Sequence, residues 1–282
     1  MSHQTLHTLP DALAEGLLAG SLAPYLGPDV LSLCAAVTVP GNPLALATFL
    51  NARNSVPGKI RNKLTAVAQF IENFKHRKTL VAAMNEAYAP ATAPSALHRW
   101  VAALPAPLIV DCWYDDTLHG ALAASGRSDW AEVQGLSQSE HFGSWTGWYG
   151  ADGTMNPDPI AATTLLYKPW GGHAPAGNYL VSDTDYVEVL TEIDIQTPIP
   201  ALVQQRRAGL GFVFFGCRFN DQLPRAFARQ IMKRSHGPHY AVLPEEPTRM
   251  EARFLEEQGI TRIALPLAEV ALKLTDAALL PA

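Results

Sequence analysis

Short apolar runs that alternate with helix-like segments constrain the fold of this chain more than any other feature. Residues 107–111, 164–168 and 211–215 are compact runs rich in Leu, Val, Ile and Phe, and longer amphipathic or capped segments separate them. Strands buried on both faces have such continuous apolar runs, and parallel neighbours need crossovers that are usually helical. The pattern predicts an α/β protein with a Rossmann-like, doubly wound, mostly parallel sheet covered on both faces by helices.

Two stretches depart from this alternation. Residues 57–90 carry apolar side chains at the helical period, Leu64, Val67 and Ile71 among them, which predicts an inserted helical lobe. Residues 130–154 are rich in glycine and aromatic side chains and are expected to form a small hairpin or a lid. Because no internal repeat or low-complexity tail divides the chain, residues 1–282 are interpreted as one domain.

Composition limits the classes of function. The 282 residues are 48% hydrophobic and 17% charged, with a formal net charge of -5 at pH 7. A mildly acidic chain without a dense Lys/Arg block lacks the electrostatic footprint of a nucleic-acid binder. Residues 1–10 have neither the basic start nor the apolar run of a signal peptide, and no stretch reaches the length of a membrane span. We therefore expect a cytoplasmic protein that binds neither nucleic acid nor membranes.

The three cysteines are Cys34, Cys112 and Cys217, which are odd in number and far apart. Neither a disulfide framework nor paired C-x-x-C ligands can be built from them, so no metal site is predicted. Each lies close to the end of a predicted strand, where all three could line one crevice. We favour a role as small buried hydrophobes over a redox or metal role, because buried lone cysteines usually behave in this way.

Four short segments follow predicted strands. They are L-A-P-Y-L-G-P-D-V at residues 22–30, L-I-V-D-C-W-Y-D-D at 108–116, L-Y-K-P-W-G-G at 166–172 and F-V-F-F-G-C-R-F-N-D at 212–221. In order and separation they resemble the sirtuin-like family, whose members usually carry P-x-x-G-A-G-x-S, V-T-T-N-Y-D, K-L-H-G and L-G-x-S-x-x-D at these places. Near the end of the chain, H-Y-A-V-L-P and F-L-E-E-Q-G-I are similar to bacterial sirtuin-like domains that hydrolyse NAD.

The resemblance implies a nucleotide crevice where the four segments meet. In an open parallel sheet, ligands bind beyond the carboxyl ends of the strands, at the point where the winding reverses. The residues that correspond to the family's cofactor site are Gly27, Asp29, Trp113, Trp170, Gly171, Gly216, Arg218 and Asp221. We expect the two tryptophans to lie near each other and near the glycines that follow the first and fourth of these strands.

The reactive positions of the family are replaced. Trp113 stands where the family has its catalytic Asn, and Trp170 stands where it has its catalytic His. In the family the Asn orients the attacking water and the ribose and the His acts as a general base, whereas an indole donates one hydrogen bond and cannot accept a proton. Two interpretations of the tryptophans stay open. They pack a disused pocket, which we favour, or they form a stacking clamp for an unknown base or ring.

Further replacements oppose dinucleotide binding. Gly27 is kept, but Pro28 has no N–H to offer a pyrophosphate, and Asp29 brings a negative charge to the place of the phosphates. Arg218 replaces a small Ser and is expected to fill the site, to pair with Asp29 or Asp221, or to bind a different anion. We therefore expect weak or no NAD binding and no cofactor.

Histidines supply the remaining catalytic candidates. His173 follows Trp170 by three residues and is the fallback base if its loop is rearranged. His119, Asp115 and Asp116 are weaker candidates, because a loop His more often caps or is exposed, and carboxylates at a helix start favour the positive end of its dipole. An NAD hydrolase with a displaced catalytic set is thus the alternative function.

The favoured function is a non-catalytic sirtuin-like module that acts as a protein-binding adaptor or regulator. Trp145, Trp148 and Tyr149 are the candidate partner-binding residues, because Trp and Tyr dominate interface energetics, although a lid folded over the crevice would also bury them. Degenerate sirtuin-like proteins of this size occur among nitrogen-fixation accessory genes. The resemblance therefore implies a metalloenzyme, such as a nitrogen-fixation component, as one candidate partner, and the sequence leaves a homo-oligomer open.

Overall fold

The computed structural model describes residues 3–156, 160–192 and 199–276. Within these ranges the strands are β1 Leu22–Leu26, β2 Leu108–Asp111, β3 Trp130–Gly135, β4 Thr146–Gly150, β5 Thr164–Lys168, β6 Gly171–Gly172, β7 Asn178–Tyr179, β8 Gly211–Phe215, β9 His239–Val242 and β10 Ile260–Ile263. The helices are α1 His3–Leu18, α2 Pro43–Arg53, α3 Leu64–Lys75, α4 Arg77–Tyr88, α5 Ala96–Ala103, α6 Thr117–Ala124, α7 Asp183–Glu192, α8 Ala201–Arg207, α9 Gln222–Met232, α10 Arg249–Glu257 and α11 Leu267–Thr275. A 3-10 helix, Pro28–Leu33, follows β1.

Eight strands form one twisted sheet in the order β10-β9-β8-β1-β2-β5-β3-β4. Every neighbouring pair is parallel except β3 with β4. The chain leaves β1 on the β2 side and later returns through β8 on the other side, so the winding reverses at β1. The prediction of a Rossmann-like, mostly parallel α/β sheet is confirmed.

Helices cover both faces of this sheet. One buried cluster joins the face that carries Leu108 and Val110 to α3 and α9, and the other joins the face that carries Ile109 to α1, α5 and α11. Alternate residues of β2 therefore enter different cores, as the period of a strand requires. No described helix combines the length and the hydrophobicity needed to cross a bilayer.

The helical insert consists of more than the predicted periodic region. Its first helix, α2, is absent from the sequence-based prediction, although Asn42 and Pro43 are a recognisable start signal. The Asn42 side chain accepts a hydrogen bond from the Ala45 N–H at 2.9 Å. The region predicted as a helical lobe is divided at His76, whose φ of 71° is in the left-handed region, so that α3 and α4 are separate helices.

Two boundaries have a local cause. Helix α1 ends at Leu18, and the chain enters β1 at Leu22. Helix α6 begins at Thr117, whose N–H donates to the Asp115 carboxylate at 2.9 Å. Within residues 130–154, for which a hairpin or a lid was expected, β3 pairs with β4 in antiparallel orientation, and β3 lies inside the sheet between β5 and β4.

Candidate functional site

The carboxyl ends of β8, β1 and β2 meet where the winding reverses. The Gly27 N–H donates to the Phe215 carbonyl at 2.8 Å, and the Cys112 N–H donates to the Leu26 carbonyl at 2.8 Å. A Cβ built at Gly27 would lie 2.4 Å from the Gly216 carbonyl oxygen. Three of the four sirtuin-like segments therefore meet at one edge of the sheet.

The glycines at this edge are required by the protein's own backbone. Gly216 has a φ of 61°, and a Cβ there would lie 2.5 Å from the Val30 nitrogen. Gly171 has a φ of 76°, and a Cβ there would lie 2.2 Å from the Asn178 carbonyl oxygen. Because the 3-10 helix approaches Gly216 and β7 approaches Gly171 so closely, both positions exclude a side chain without any need for a ligand.

Trp113 is a buried anchor at the end of β2. Its side chain is only 2% exposed, and its indole N–H donates to the Pro40 carbonyl at 2.8 Å. The Tyr88 hydroxyl donates to the same carbonyl at 3.2 Å. Trp113 thus fixes the loop that links the 3-10 helix to α2.

Trp170 is also buried, and like Trp113 it lies close to Tyr114. The Tyr114 ring centroid lies 4.9 Å from that of Trp113 and 6.3 Å from that of Trp170, so the two tryptophans share one aromatic neighbour. Trp170 also contacts Tyr186 and Phe227 edge to face. Its indole N–H has no hydrogen-bond partner among the described residues. These contacts favour packing over a clamp, because a protein ring already lies against both indoles.

Arg218 is held by α10 and the loop before it. Its guanidinium binds the Glu251 carboxylate with two hydrogen bonds of 3.0 and 3.1 Å, and it also contacts Glu245. Although burial raises the pKa of Glu251, hydrogen bonds from Arg218 and Thr248 lower it to about 2. The expected pairing of Arg218 with Asp29 or Asp221 is wrong, since both of its partners come from residues 245–251.

The remaining vestigial positions lie on helix starts. Asp221 accepts a hydrogen bond from the Gln222 N–H and is the N-cap of α9. Asp29 opens the 3-10 helix next to Pro28. Burial raises the pKa of the Asp29 carboxyl, Arg218 lowers it and Glu245 raises it again. In the turn after β1 the protein therefore presents a partly buried carboxyl group, which opposes an anion.

The crevice residues lack the groups that would bind the pyrophosphate of NAD. Pro28 offers no N–H, Asp29 and Glu245 are acidic, and Arg218 is already engaged by two carboxylates. The described residues of the crevice do not fit the dinucleotide that the family resemblance implies.

Sequence reasoning missed a buried polar cluster on the other face of the sheet. Lys168, at the end of β5, is fully buried, and its ammonium group binds the Asp111 carboxylate at 2.7 Å and the Asp115 carbonyl at 2.8 Å. Glu132 and Gln134 of β3 are also fully buried, and the Gln134 side chain donates to the Glu132 carboxylate at 2.5 Å. Neighbouring strands thus place charged and amide side chains side by side.

The two sides of the ion pair titrate differently. Burial raises the pKa of Asp111 to about 7, although Lys168 opposes this shift. Burial alone lowers the pKa of Lys168, but the surrounding carboxylates of Asp111, Asp115 and Glu132 raise it above its usual value. Lys168 is therefore the constant positive charge of the cluster, and Asp111 is the group that changes charge near neutrality.

Two histidines lie at the outer edge of this cluster. His119 Nδ1 pairs with the Glu132 carboxylate at 2.6 Å, and His173 Nδ1 pairs with the Asp116 carboxylate at 2.7 Å. Burial lowers the pKa of His119, but its pairing with the Glu132 carboxylate raises the pKa, and the net shift is upward. The His173 and Asp116 side chains are 27% and 29% exposed.

The surroundings of the three cysteines fit a role in packing. All three are buried and free, and the Cys112 thiol donates to the Tyr25 hydroxyl at 3.0 Å. Burial raises the pKa of each of the Cys34, Cys112 and Cys217 thiols, which disfavours the reactive thiolate. Within the described ranges, no three His, Cys, Asp or Glu side chains form a group that could hold a metal ion.

The aromatic residues of the glycine-rich segment are partly covered. Trp145 and Trp148 are half-buried against the main core, and the Tyr149 ring folds over Gly147. Phe142, in the loop before β4, is 94% exposed. The side chain of this segment that is most open to water is therefore one that the sequence analysis did not single out.

A family model described as a SIR2-like domain matches residues 107–263, more than half of the 282 residues. The chain belongs to the SIR2-like family. The matched part of this SIR2-like chain runs from the residue before β2 to the end of β10, so it contains Trp113, Trp170 and Arg218 but neither Gly27 nor Asp29. The family predicted from the four segments is thus confirmed. No curated protein matches the chain.

Proposed function

We propose that this SIR2-like domain is a non-catalytic module that acts as a protein-binding adaptor or regulator. The observation that carries the proposal is the state of Trp113, which is 2% exposed and whose N–H is engaged by the Pro40 carbonyl at 2.8 Å. A buried indole whose donor is already used cannot orient a water molecule, and it cannot accept a proton. The position that serves chemistry in the family serves packing here.

The electrostatics of the first turn support the same proposal. NAD carries two phosphates, and binding them usually relies on free N–H donors or cations near the end of the first strand. Here Asp29 and Glu245 are acidic and Arg218 is paired, so a bound pyrophosphate would gain no free cation from these residues.

The test is to incubate the purified protein with NAD and to measure the released nicotinamide by chromatography. We expect release no faster than in a sample without protein. Sustained release that His173→Ala or Asp116→Asn abolishes would overturn the proposal, and His141→Ala, a change at an exposed histidine of the neighbouring loop, is the matched control.

A NAD hydrolase with a displaced catalytic set is the second candidate function. The observation that favours it is the pair of His173 and Asp116, whose Nδ1 and carboxylate oxygen are 2.7 Å apart. A carboxylate on Nδ1 orients an imidazole and leaves Nε2 for proton transfer. The same assay separates the two functions, since the hydrolase requires release that depends on this pair.

The adaptor role also predicts where a partner binds. Trp145, Trp148 and Tyr149 remain our candidate contacts, and a metalloenzyme such as a nitrogen-fixation component remains one proposed partner. Replacement of Trp145 and Trp148 with Ala, with thermal stability and capture of that partner measured together, distinguishes the two roles. Stability lost alone supports packing, whereas capture lost at unchanged stability supports an interface.

A further inference from the structure

A groove separates α3 from α7 on the outside of the helical insert. It encloses about 450 Å³ and is lined by Gln69, Asn73, Asp183, Thr184, Val187 and Glu188. Its floor is set by polar contacts, because the Gln69 side chain accepts a hydrogen bond from the Thr184 N–H at 2.7 Å and donates to Asn73 at 3.0 Å. None of these six residues belongs to the vestigial crevice.

Large apolar side chains on both helices of the groove are left in water. Val187 on α7 is 63% exposed, and Phe74 on α3 is 68% exposed. Phe74 lies against the half-buried Phe70, with ring centroids 4.5 Å apart. Val187 lines the groove, whereas Phe74 immediately follows the lining residue Asn73. Single exposed apolar residues are ordinary, but two that flank one groove offer apolar area that a partner can cover.

The charge of α7 is of one sign. Its sequence, DTDYVEVLTE, contains four carboxylates and no base. Asp185 is satisfied, because it binds Arg77 at 2.8 Å and the backbone N–H groups of residues 181 and 182. Asp183 lies in the first turn, where a negative charge favours the helix dipole. The acidity at these two positions has a structural explanation.

Glu188 has no such explanation. Its Oε2 atom is buried, and within the described part of the chain it has no hydrogen-bond partner. Burial raises the pKa of Glu188, the carboxylates of Asp185 and Glu72 raise it further, and Arg77 opposes them. Arg77 itself is shared among Glu72, Glu140 and Asp185. The groove therefore contains a carboxylate that lacks a cation.

We propose that the groove between α3 and α7 docks an amphipathic helix of a protein partner, one that carries Lys or Arg beside its apolar face. A basic side chain at Glu188 would supply the missing cation, and the apolar face would cover Phe74 and Val187. An acidic helix would add like charge to α7 and is disfavoured. The proposal does not depend on whether the domain hydrolyses NAD, since the two sites share no residue.

The experiment uses the full chain and a fluorescein-labelled helical peptide of about 18 residues, built from Leu at the apolar helical positions and Lys at the others. Binding is measured by anisotropy at about 150 mM salt, which screens charge pairs that are not in contact. Val187→Asp and Glu188→Lys should each weaken binding about tenfold or more. The matched controls are Leu272→Asp and Glu256→Lys, at exposed positions of α11 and α10, and they should change affinity less than twofold.

A peptide with Glu in place of every Lys should not bind. The proposal would be overturned if the groove variants and the control variants bound the peptide with equal affinity. It would also be overturned if the protein associated with itself and Val187→Asp converted it to a monomer, because a second copy of the chain would then occupy the groove. If a variant fails to fold, a photoreactive residue at position 187 replaces it. Its crosslink to the Lys peptide should exceed that from position 272, and equal crosslinking would contradict docking in the groove.

Discussion

Two regions at the same edge of the sheet have opposite chemistry. On one face Trp113, Tyr114 and Trp170 form a buried aromatic group, and on the other Asp111 and Lys168 form a buried ion pair. The two groups are close in sequence, because Trp113 is two positions after Asp111 and Trp170 is two positions after Lys168. One face of this edge is thus filled by rings, whereas the other face buries charges.

The two faces should respond differently to pH. Ring packing at the aromatic face depends on shape, and it changes little with pH. The ion pair at the charged face depends on protonation, because Asp111 and His119 both have raised pKa values. Variants at the two faces should therefore differ in how their effects vary with pH.

The largest effect is expected for Trp113→Ala. Removal of a buried indole leaves a cavity and takes away one of the two hydrogen bonds to the Pro40 carbonyl, which should lower the free energy of unfolding by about 4 kcal/mol. Urea denaturation measures this loss, and it should be nearly the same at about pH 5 and at about pH 8. Trp113→Phe keeps most of the ring and should cost less than half as much. A loss below about 1 kcal/mol for the Ala variant would show that Trp113 is not an anchor.

The second effect tests the charged face. Lys168→Met leaves the Asp111 carboxylate buried without its cation, and breaking such a pair should cost about 3 kcal/mol at about pH 8. The loss should be smaller at about pH 5, where Asp111 can bind a proton instead. Lys273→Met is the control, because its pair with Glu269 is exposed and is worth at most about 0.5 kcal/mol. Equal losses at both pH values would contradict the ionised pair.

The sequence alone predicts the positions of the strands that have continuous apolar runs. β2, β5 and β8 were predicted within two residues of their bounds because both of their faces are buried. Residues 130–154, which contain β3, were expected to form a small hairpin or a lid because the stretch is rich in glycine and aromatic side chains. Glu132 and Gln134 interrupt the apolar pattern of β3, although this strand lies inside the sheet. These residues are buried because they form part of the polar cluster around Lys168. A single sequence does not distinguish such a strand from an exposed hairpin.

The site was predictable to the extent that its residues follow strand ends. The segments that contain Gly27, Trp113 and Gly216 meet because parallel strands share one edge. The partners of Arg218 were not predictable, since Glu245 and Glu251 are far away in sequence and reach it only through the packing of α10. Lys168 was also missed, because a lysine at a strand end is rarely fully buried.

The smallest effect is the pH dependence of the charged face itself. The folded protein raises the pKa of Asp111 from 3.8 to about 7 and raises that of His119 above 6.5, so in this range it binds protons more tightly than the unfolded chain. The stability contributed by these groups is present below their unfolded pKa values and is lost as the pH rises through the folded values. Glu251 acts in the opposite direction, but only below its unfolded value of 4.5.

We therefore expect the free energy of unfolding to fall by about 1 kcal/mol between about pH 5 and about pH 8, because one unit of pKa shift corresponds to about 1.4 kcal/mol. The loss from Asp111 is partly offset by His98, whose pKa burial lowers from 6.5 to about 4, so that its contribution to stability rises with pH over the lower half of this range. Asp111→Asn keeps an acceptor for Lys168 but removes the titration, so its stability should change less over this range. Asp11→Asn, at an exposed position, should keep the wild-type slope. A wild-type slope in the Asp111 variant would assign the pH dependence to His119. A stability that rises with pH in the wild type would contradict the raised pKa of both groups and, with it, the contrast between the two faces.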